Sequence, residues 1–141
     1  MTTRCILIID DEEDIREVTQ LTLELEGGWK VLAACSGSEG VNLARFHHPD
    51  AILLDVMMPE MDGLMTAKVL QEFPDTQPIP VLLLTAKGAT EVMDKFQDIG
   101  ITATISKPFD PLQLVPRIKQ LFTLGIIPLA QGLLSLNILK P

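Results

Sequence analysis

Five short apolar runs recur along the chain, and no other feature constrains its fold so strongly. They are CILII at 5–9, WKVLAA at 29–34, AILL at 51–54, VLLL at 81–84 and ITATI at 101–105. Continuous apolar runs of this length suit strands covered on both faces. Between them the apolar spacing becomes helical. Ile15, Val18, Leu21 and Leu25 predict a helix with one buried stripe, stopped by Gly27 and Gly28. Ser36 or Ser38 caps a second helix that carries Val41 and Ala44 and ends before Pro49. A third runs from about Gly63 to Glu72, closed by Phe73 and Pro74, and Thr90 opens a fourth that carries Val92, Met93 and Phe96 to Gly100. A turn over Asp110 to Leu114 then leads to a last helix with Pro116 in its first turn, where proline is tolerated.

Five apolar strands alternating with five helices predict an α/β fold, a doubly wound parallel sheet with helices on both faces. Its crossovers are right-handed, and ligands on such sheets bind at the carboxyl ends of the strands. The residues expected at those ends form a specific chemical set. Asp10 and Asp11 end the first strand, Asp55 the third and Thr85 the fourth, while Ser106, Lys107 and Pro108 follow the fifth. Carboxylates a few ångströms apart repel, so they need a cation or must raise a pKa. Hard oxygen donors without His or Cys suit Mg²⁺. A lysine is a point charge able to hold a phosphoryl oxygen, and a central carboxylate can serve as a nucleophile that becomes an acyl phosphate.

Composition narrows the classes of function. At 141 residues the chain forms one domain with a real core. With 11 basic and 19 acidic residues its net charge is −8, which opposes binding to a phosphate backbone, so nucleic acid is not an expected partner. Cys5 and Cys35 make neither a disulfide framework nor a C-x-x-C metal motif, and a reduced cytoplasmic setting fits them best as small buried apolar residues. The N-terminus is wrongly flanked for a signal peptide, and no run reaches the roughly 18 apolar residues of a membrane span.

Four stretches, IIDDEED, LLDVMMPEMDG, LLLTA and ISKPF, agree in order and spacing with one family. Asp55 to Thr85 is 30 positions and Asp55 to Lys107 is 52. On these residues the chain resembles the receiver domain of two-component response regulators. The resemblance covers residues 4 to about 122, placing a receiver domain at 1–122 and a short apolar extension at 123–141. It implies a flavodoxin-like sheet of order 2-1-3-4-5 and a stand-alone response regulator. It also implies phosphoryl transfer to Asp55 from a phosphohistidine on a histidine kinase or a histidine phosphotransfer protein. The domain would catalyse both its own phosphorylation and the later loss of the group. By the same resemblance Asp11 and Asp55 ligate Mg²⁺ through side chains, Met57 through its backbone carbonyl and Asp10 through a water. Lys107 compensates charge, Thr85 hydrogen-bonds the phosphoryl group, and a cis Lys107–Pro108 bond aims the ammonium. The output is a shift of the face made by the fourth helix, fifth strand and last helix toward a downstream protein effector.

Three positions depart from the family pattern. Thr104 stands where Tyr or Phe is frequent, three residues before the lysine, which removes the ring of an aromatic switch. Met57 is apolar and Lys87 cationic at two positions that elsewhere orient the attacking water, so a longer-lived phosphoryl group is expected.

Other readings compete. A phosphatase of the haloacid dehalogenase type needs a second aspartate two residues after the nucleophile, where Met57 stands. A flavin carrier needs a Ser/Thr/Gly phosphate loop after strand one, and no glycine-rich nucleotide motif is present. The alternative of weight is a pseudo-receiver that takes no phosphate and acts as a protein-binding module. Glu12, Glu13 and Asp14 read as a solvated helix start, His47 and His48 as the positive end of the second helix, and the methionines as filler. The tail TLGIIPLAQGLLSLNILKP, Thr123 to Pro141, reads either as a short helix from about Pro128 packed on the domain or as a segment for a partner or homodimer contact.

Overall fold

The computed structural model describes residues 3–58, 62–86, 94, 96, 99–107 and 109–127. Five parallel strands form one sheet: β1 (Cys5–Ile9), β2 (Lys30–Ala34), β3 (Ala51–Asp55), β4 (Val81–Ala86) and β5 (Ala103–Lys107), ordered β2-β1-β3-β4-β5. The helices are α1 (Glu13–Gly27), α2 (Gly37–His47), α3 (Gly63–Glu72) and α4 (Pro111–Thr123). Four helices thus stand among the described residues where five were expected. The expected helix over Thr90 to Gly100 and the tail from residue 128 lie largely or wholly outside them.

Strand alternation builds two cores. Leu7, Ile9, Ile52, Leu54 and Leu83 face α2 and α3 and are packed by Val41, Ala44, Ala67, Leu70 and Phe96. Ile6, Ile8, Leu53, Leu82 and Leu84 face the other way and are packed by Leu23, Leu114, Ile118 and Leu121. Each fully buried Leu or Ile contributes about 1.5–3 kcal/mol. The order puts β3 at the centre, so Asp55 ends a strand paired on both sides and is 2 % exposed.

Local chemistry sets the helix ends. Gly28 caps α1 at φ 71° and donates its N–H to the Glu24 carbonyl. Ser36 caps α2 by accepting from the Glu39 N–H, and Asp62 caps α3 by accepting from the Met65 N–H. The last helix begins earlier than its proline suggested. Asp110 accepts from the Leu112 N–H and Pro111 takes the first helical position, so Pro116 sits inside α4 rather than in its first turn. Pro116 is exposed, where losing one backbone donor leaves no buried carbonyl stranded.

Helix α1 is rotated relative to its apolar stripe. Thr19 and Leu23 are buried with Ile15 half-buried beside them, whereas Val18, Leu21 and Leu25 are 54 %, 56 % and 73 % exposed. Two polar anchors on the opposite flank set this rotation. Arg16 Nη1 donates to the Asp10 carbonyl at 2.9 Å, and Gln20 Nε2 donates to the Val31 carbonyl at 3.4 Å. Cys35 is likewise exposed, not buried as its surroundings in sequence suggested.

Gly63 opens α3 against the end of β3. A Cβ there would lie 2.6 Å from Val56 Cα and 2.7 Å from the Asp55 carbonyl oxygen, both backbone atoms that cannot swing aside. Gly63→Ala should therefore cost about 1–3 kcal/mol and lower the thermal midpoint by several degrees. An unchanged midpoint would show that the loop gives way.

Candidate functional site

The site lies at the carboxyl edge of the sheet, where strands distant in sequence end side by side. Asp10 follows β1, Asp55 ends β3 beside Leu84, and Lys107 ends β5 beside Ala86. Odd positions in β3 and β5 turn the Asp55 and Lys107 side chains to the same face as Leu53 and Ile105, toward α1 and α4.

The lysine ties the site together. Its Nζ lies 3.1 Å from Asp10 Oδ2, 3.3 Å from Asp55 Oδ1 and 3.3 Å from Glu12 Oε1. Asp10 is fully buried and holds its other oxygen on the Glu12 N–H, while the Met57 N–H donates to Asp55 Oδ1 at 3.2 Å. Asp55 Oδ2 is buried without a hydrogen-bond partner among the described residues. A buried anionic oxygen is rarely left so.

These environments move two pKa values. Burial first, and the neighbouring Asp10 carboxylate second, push Asp55 up from 3.8 to about 6, against the pull of Lys107 and the Met57 N–H. Burial pulls Lys107 down, but the Asp55 and Asp10 carboxylates outweigh it and its pKa is raised.

Asp10, Asp11 and Asp55 each bring one carboxylate oxygen within 4.8 Å of the others. An all-oxygen set with an orphaned buried oxygen in its midst suits a hard divalent cation. Asp11 is exposed, so the strain of the acidic cluster rests on Asp55 and Asp10. Thr85 is buried at the end of β4, paired with Ser106, and no hydrogen bond joins it to Asp55 or Lys107 among the described residues. Pro108 and Lys87 lie outside those residues. Thr104 is exposed on β5.

Sequence reasoning missed Glu12. Read as a solvated helix start, it instead turns its carboxylate onto Lys107 and makes no side-chain capping bond. Its only signal was adjacency to the Asp pair. The apolar surroundings were missed too. A cavity of about 600 Å³ opens over Asp55, walled by Ile15, Val18, Met57, Phe109 and Pro111, with Met57 72 % exposed.

Comparison with known proteins agrees with this geometry. Residues 6–119 match the response regulator receiver domain. The chain is 41 % identical over 117 residues to the transcriptional regulatory protein SrrA of Staphylococcus aureus, covering 82 % of this chain and 46 % of that protein. It is 36 % identical over 116 residues to the response regulator Rre1 of Synechocystis, covering 82 % and 50 %. The chain thus spans about half the length of these curated relatives. Among solved structures, the chemotaxis protein CheY4 of Vibrio cholerae superposes with a TM-score of 0.79 at 28 % identity, covering 86 % of this chain and all of that one.

Asp55 holds its proton more tightly folded than unfolded, so the metal-free protein should lose stability as pH climbs from 3.8 to about 6. Asp55→Asn should remove that loss and stabilise the protein at pH 7 in chelator by on the order of 2 kcal/mol, read as a higher thermal midpoint. A fall in the midpoint would show that the ion pair with Lys107 outweighs burial.

Proposed function

The chain belongs to the response regulator receiver family of two-component systems, and from that premise we propose that Asp55 accepts a phosphoryl group from a phosphohistidine on a histidine kinase or a phosphotransfer protein. The observation that carries this reading is the Lys107 ammonium set between Asp10 and Asp55 while Asp55 Oδ2 stays without a partner. One carboxylate oxygen is held by Lys107 and the Met57 N–H, and the other carries no hydrogen bond that an attack would have to break.

Asp55 Oδ2 attacks phosphorus in line. The P–O bond forms as the P–N bond to the donor imidazole breaks, and the electron pair returns to the imidazole nitrogen. Above a pH of about 6 Asp55 is mainly the carboxylate this step needs. Lys107 stays charged throughout and offsets the negative charge of the transferring group. Asp11, Asp55, the Met57 carbonyl and, through a water, Asp10 would hold Mg²⁺, which supplies charge neutralisation to the phosphoryl oxygens. Ile15, Val18, Met57 and Phe109 give the approach to the site an apolar wall.

Phosphorylation adds about −1.5 to −2 charge and strong acceptor oxygens at Asp55. Thr85 moves to one of those oxygens, and the shift passes to residues 87–100, β5 and α4, the face offered to a protein effector. Reversing a 1:99 equilibrium takes roughly 5.5 kcal/mol, within reach of a few charge-assisted bonds of about 1.5–3 kcal/mol each. With Thr104 in place of a ring, the switch works without an aromatic rotor. Stand-alone action as a response regulator belongs to the same proposal.

A small phosphodonor such as phosphoramidate with Mg²⁺ should add one phosphoryl mass, abolished by Asp55→Asn and by chelator. Retention of the label in Asp55→Asn would sink the assignment. The exposed Met57 side chain cannot orient the water that removes the group, so Met57→Asn should hasten dephosphorylation several-fold. A half-life no shorter than that of the unsubstituted protein would reject this role.

A further inference from the structure

The Glu12 side chain is tied to the site by one contact. Its backbone is fixed on both sides. The N–H donates to Asp10 Oδ1 at 3.0 Å, and the carbonyl accepts from the Arg16 N–H at 2.9 Å to close the first turn of α1. Glu12 stands at the N-cap of α1, where a shorter acceptor would bond the helix, yet it makes no side-chain capping bond. Its carboxylate reaches Lys107 instead, with Oε1 3.3 Å from Nζ, and has no other polar partner among the described residues. The same side chain stands at the mouth of the cavity over Asp55.

The ammonium has no donor to spare. A lysine offers three N–H groups, and three oxygens surround Nζ, one each from Asp10, Asp55 and Glu12. An arriving phosphoryl oxygen can be bound only by displacing one of them. The three are not equal. Asp10 is fully buried, and depriving a buried carboxylate of its cation is strongly destabilising. Asp55 carries the reacting oxygen and has to stay beside the lysine during transfer. The Glu12 side chain is 56 % exposed, so water takes over its oxygen as the contact breaks.

We propose that Glu12 is a positioning residue for phosphoryl transfer: it occupies the third donor of Lys107 while the site waits and yields it to the incoming phosphoryl group. The inference rests on the phosphoacceptor reading. Glu12 acts through the lysine and makes no bond to Asp55 among the described residues. The contact exists before the donor arrives and is gone afterwards, so it stabilises the waiting state relative to the transition state. Removing it should therefore speed labelling.

Three substitutions separate the contact from the mere charge. Glu12→Gln keeps the shape and removes the charge. Glu12→Asp keeps the charge one methylene short of Nζ and can cap α1. Asp14→Asn is the control, since Asp14 lines the same cavity, is exposed and makes no ion pair among the described residues. With phosphoramidate and Mg²⁺, both Glu12 variants should label about two- to fivefold faster than the unsubstituted chain, the factor an exposed ion pair is worth. Asp14→Asn should label at the unsubstituted rate. In chelator, the NMR signal of the Lys107 ammonium nitrogen should shift in both Glu12 variants, and its protons should exchange faster with water. A role confined to starting the helix would leave that signal in place.

Equal acceleration by Glu12→Gln and Asp14→Asn, with Glu12→Asp unchanged, would overturn the proposal in favour of a simple field at the mouth. Slower labelling in Glu12→Gln, or an unmoved ammonium signal, would overturn it as well. If neither the variants nor the unsubstituted chain took label at Asp55, the phosphoacceptor reading would fall and the release of Lys107 with it. An ammonium signal moved by Glu12→Gln would even then establish the resting contact, which tells the two failures apart.

Discussion

The ammonium of Lys107 is the constraint around which the functional edge is built. It reaches from β5 to the buried carboxylates that end β1 and β3, joining strands that are not neighbours in the sheet. Buried carboxylates stay charged only when paired. Here two of them share one cation with Glu12, and one oxygen of Asp55 is left over. The imbalance shows as the raised pKa of Asp55. A fold that needed only stability would place apolar groups at this edge. Perturbed carboxylates of this kind cluster at functional sites more often than at structural ones.

Much of this was legible in the sequence because strands report themselves twice. Their apolar runs are uninterrupted, and the residue that breaks a run marks the carboxyl edge of the sheet. Asp10 and Asp55 break their runs and do meet at that edge, Lys107 joins them from two residues past its run, Thr85 makes no bond to them among the described residues, and the strand order followed from resemblance rather than periodicity. Helix faces were less legible. Ile15, Val18, Leu21 and Leu25 form a convincing stripe, yet the core takes Ile15, Thr19 and Leu23 instead. The rotation is set by Arg16 and Gln20 reaching backbone carbonyls, which no hydrophobic pattern encodes. Pro116 misled for a related reason, since the Asp110–Pro111 pair was the stronger start signal and an exposed interior proline is affordable.

The wall of the site divides into two chemistries. Acidic and cationic groups occupy the side toward the strand ends, while Ile15, Val18, Met57, Phe109 and Pro111 line the approach from α1 and α4. Glu12 belongs to both, following β1 in sequence and standing at the mouth of the cavity. Relatives such as SrrA and Rre1 are about twice as long as the stretch they share with this chain, so what such a site controls is a question of what surrounds the domain.

The position of β5 has a consequence for how this molecule meets others. It is an outer strand of the sheet, and its outward residues, Thr104 and Ser106, are short and polar. A greasy border strand would recruit foreign strands through its backbone and lock into aggregates. This border offers them little to grip. Any contact made at this border therefore depends on side chains more than on strand pairing.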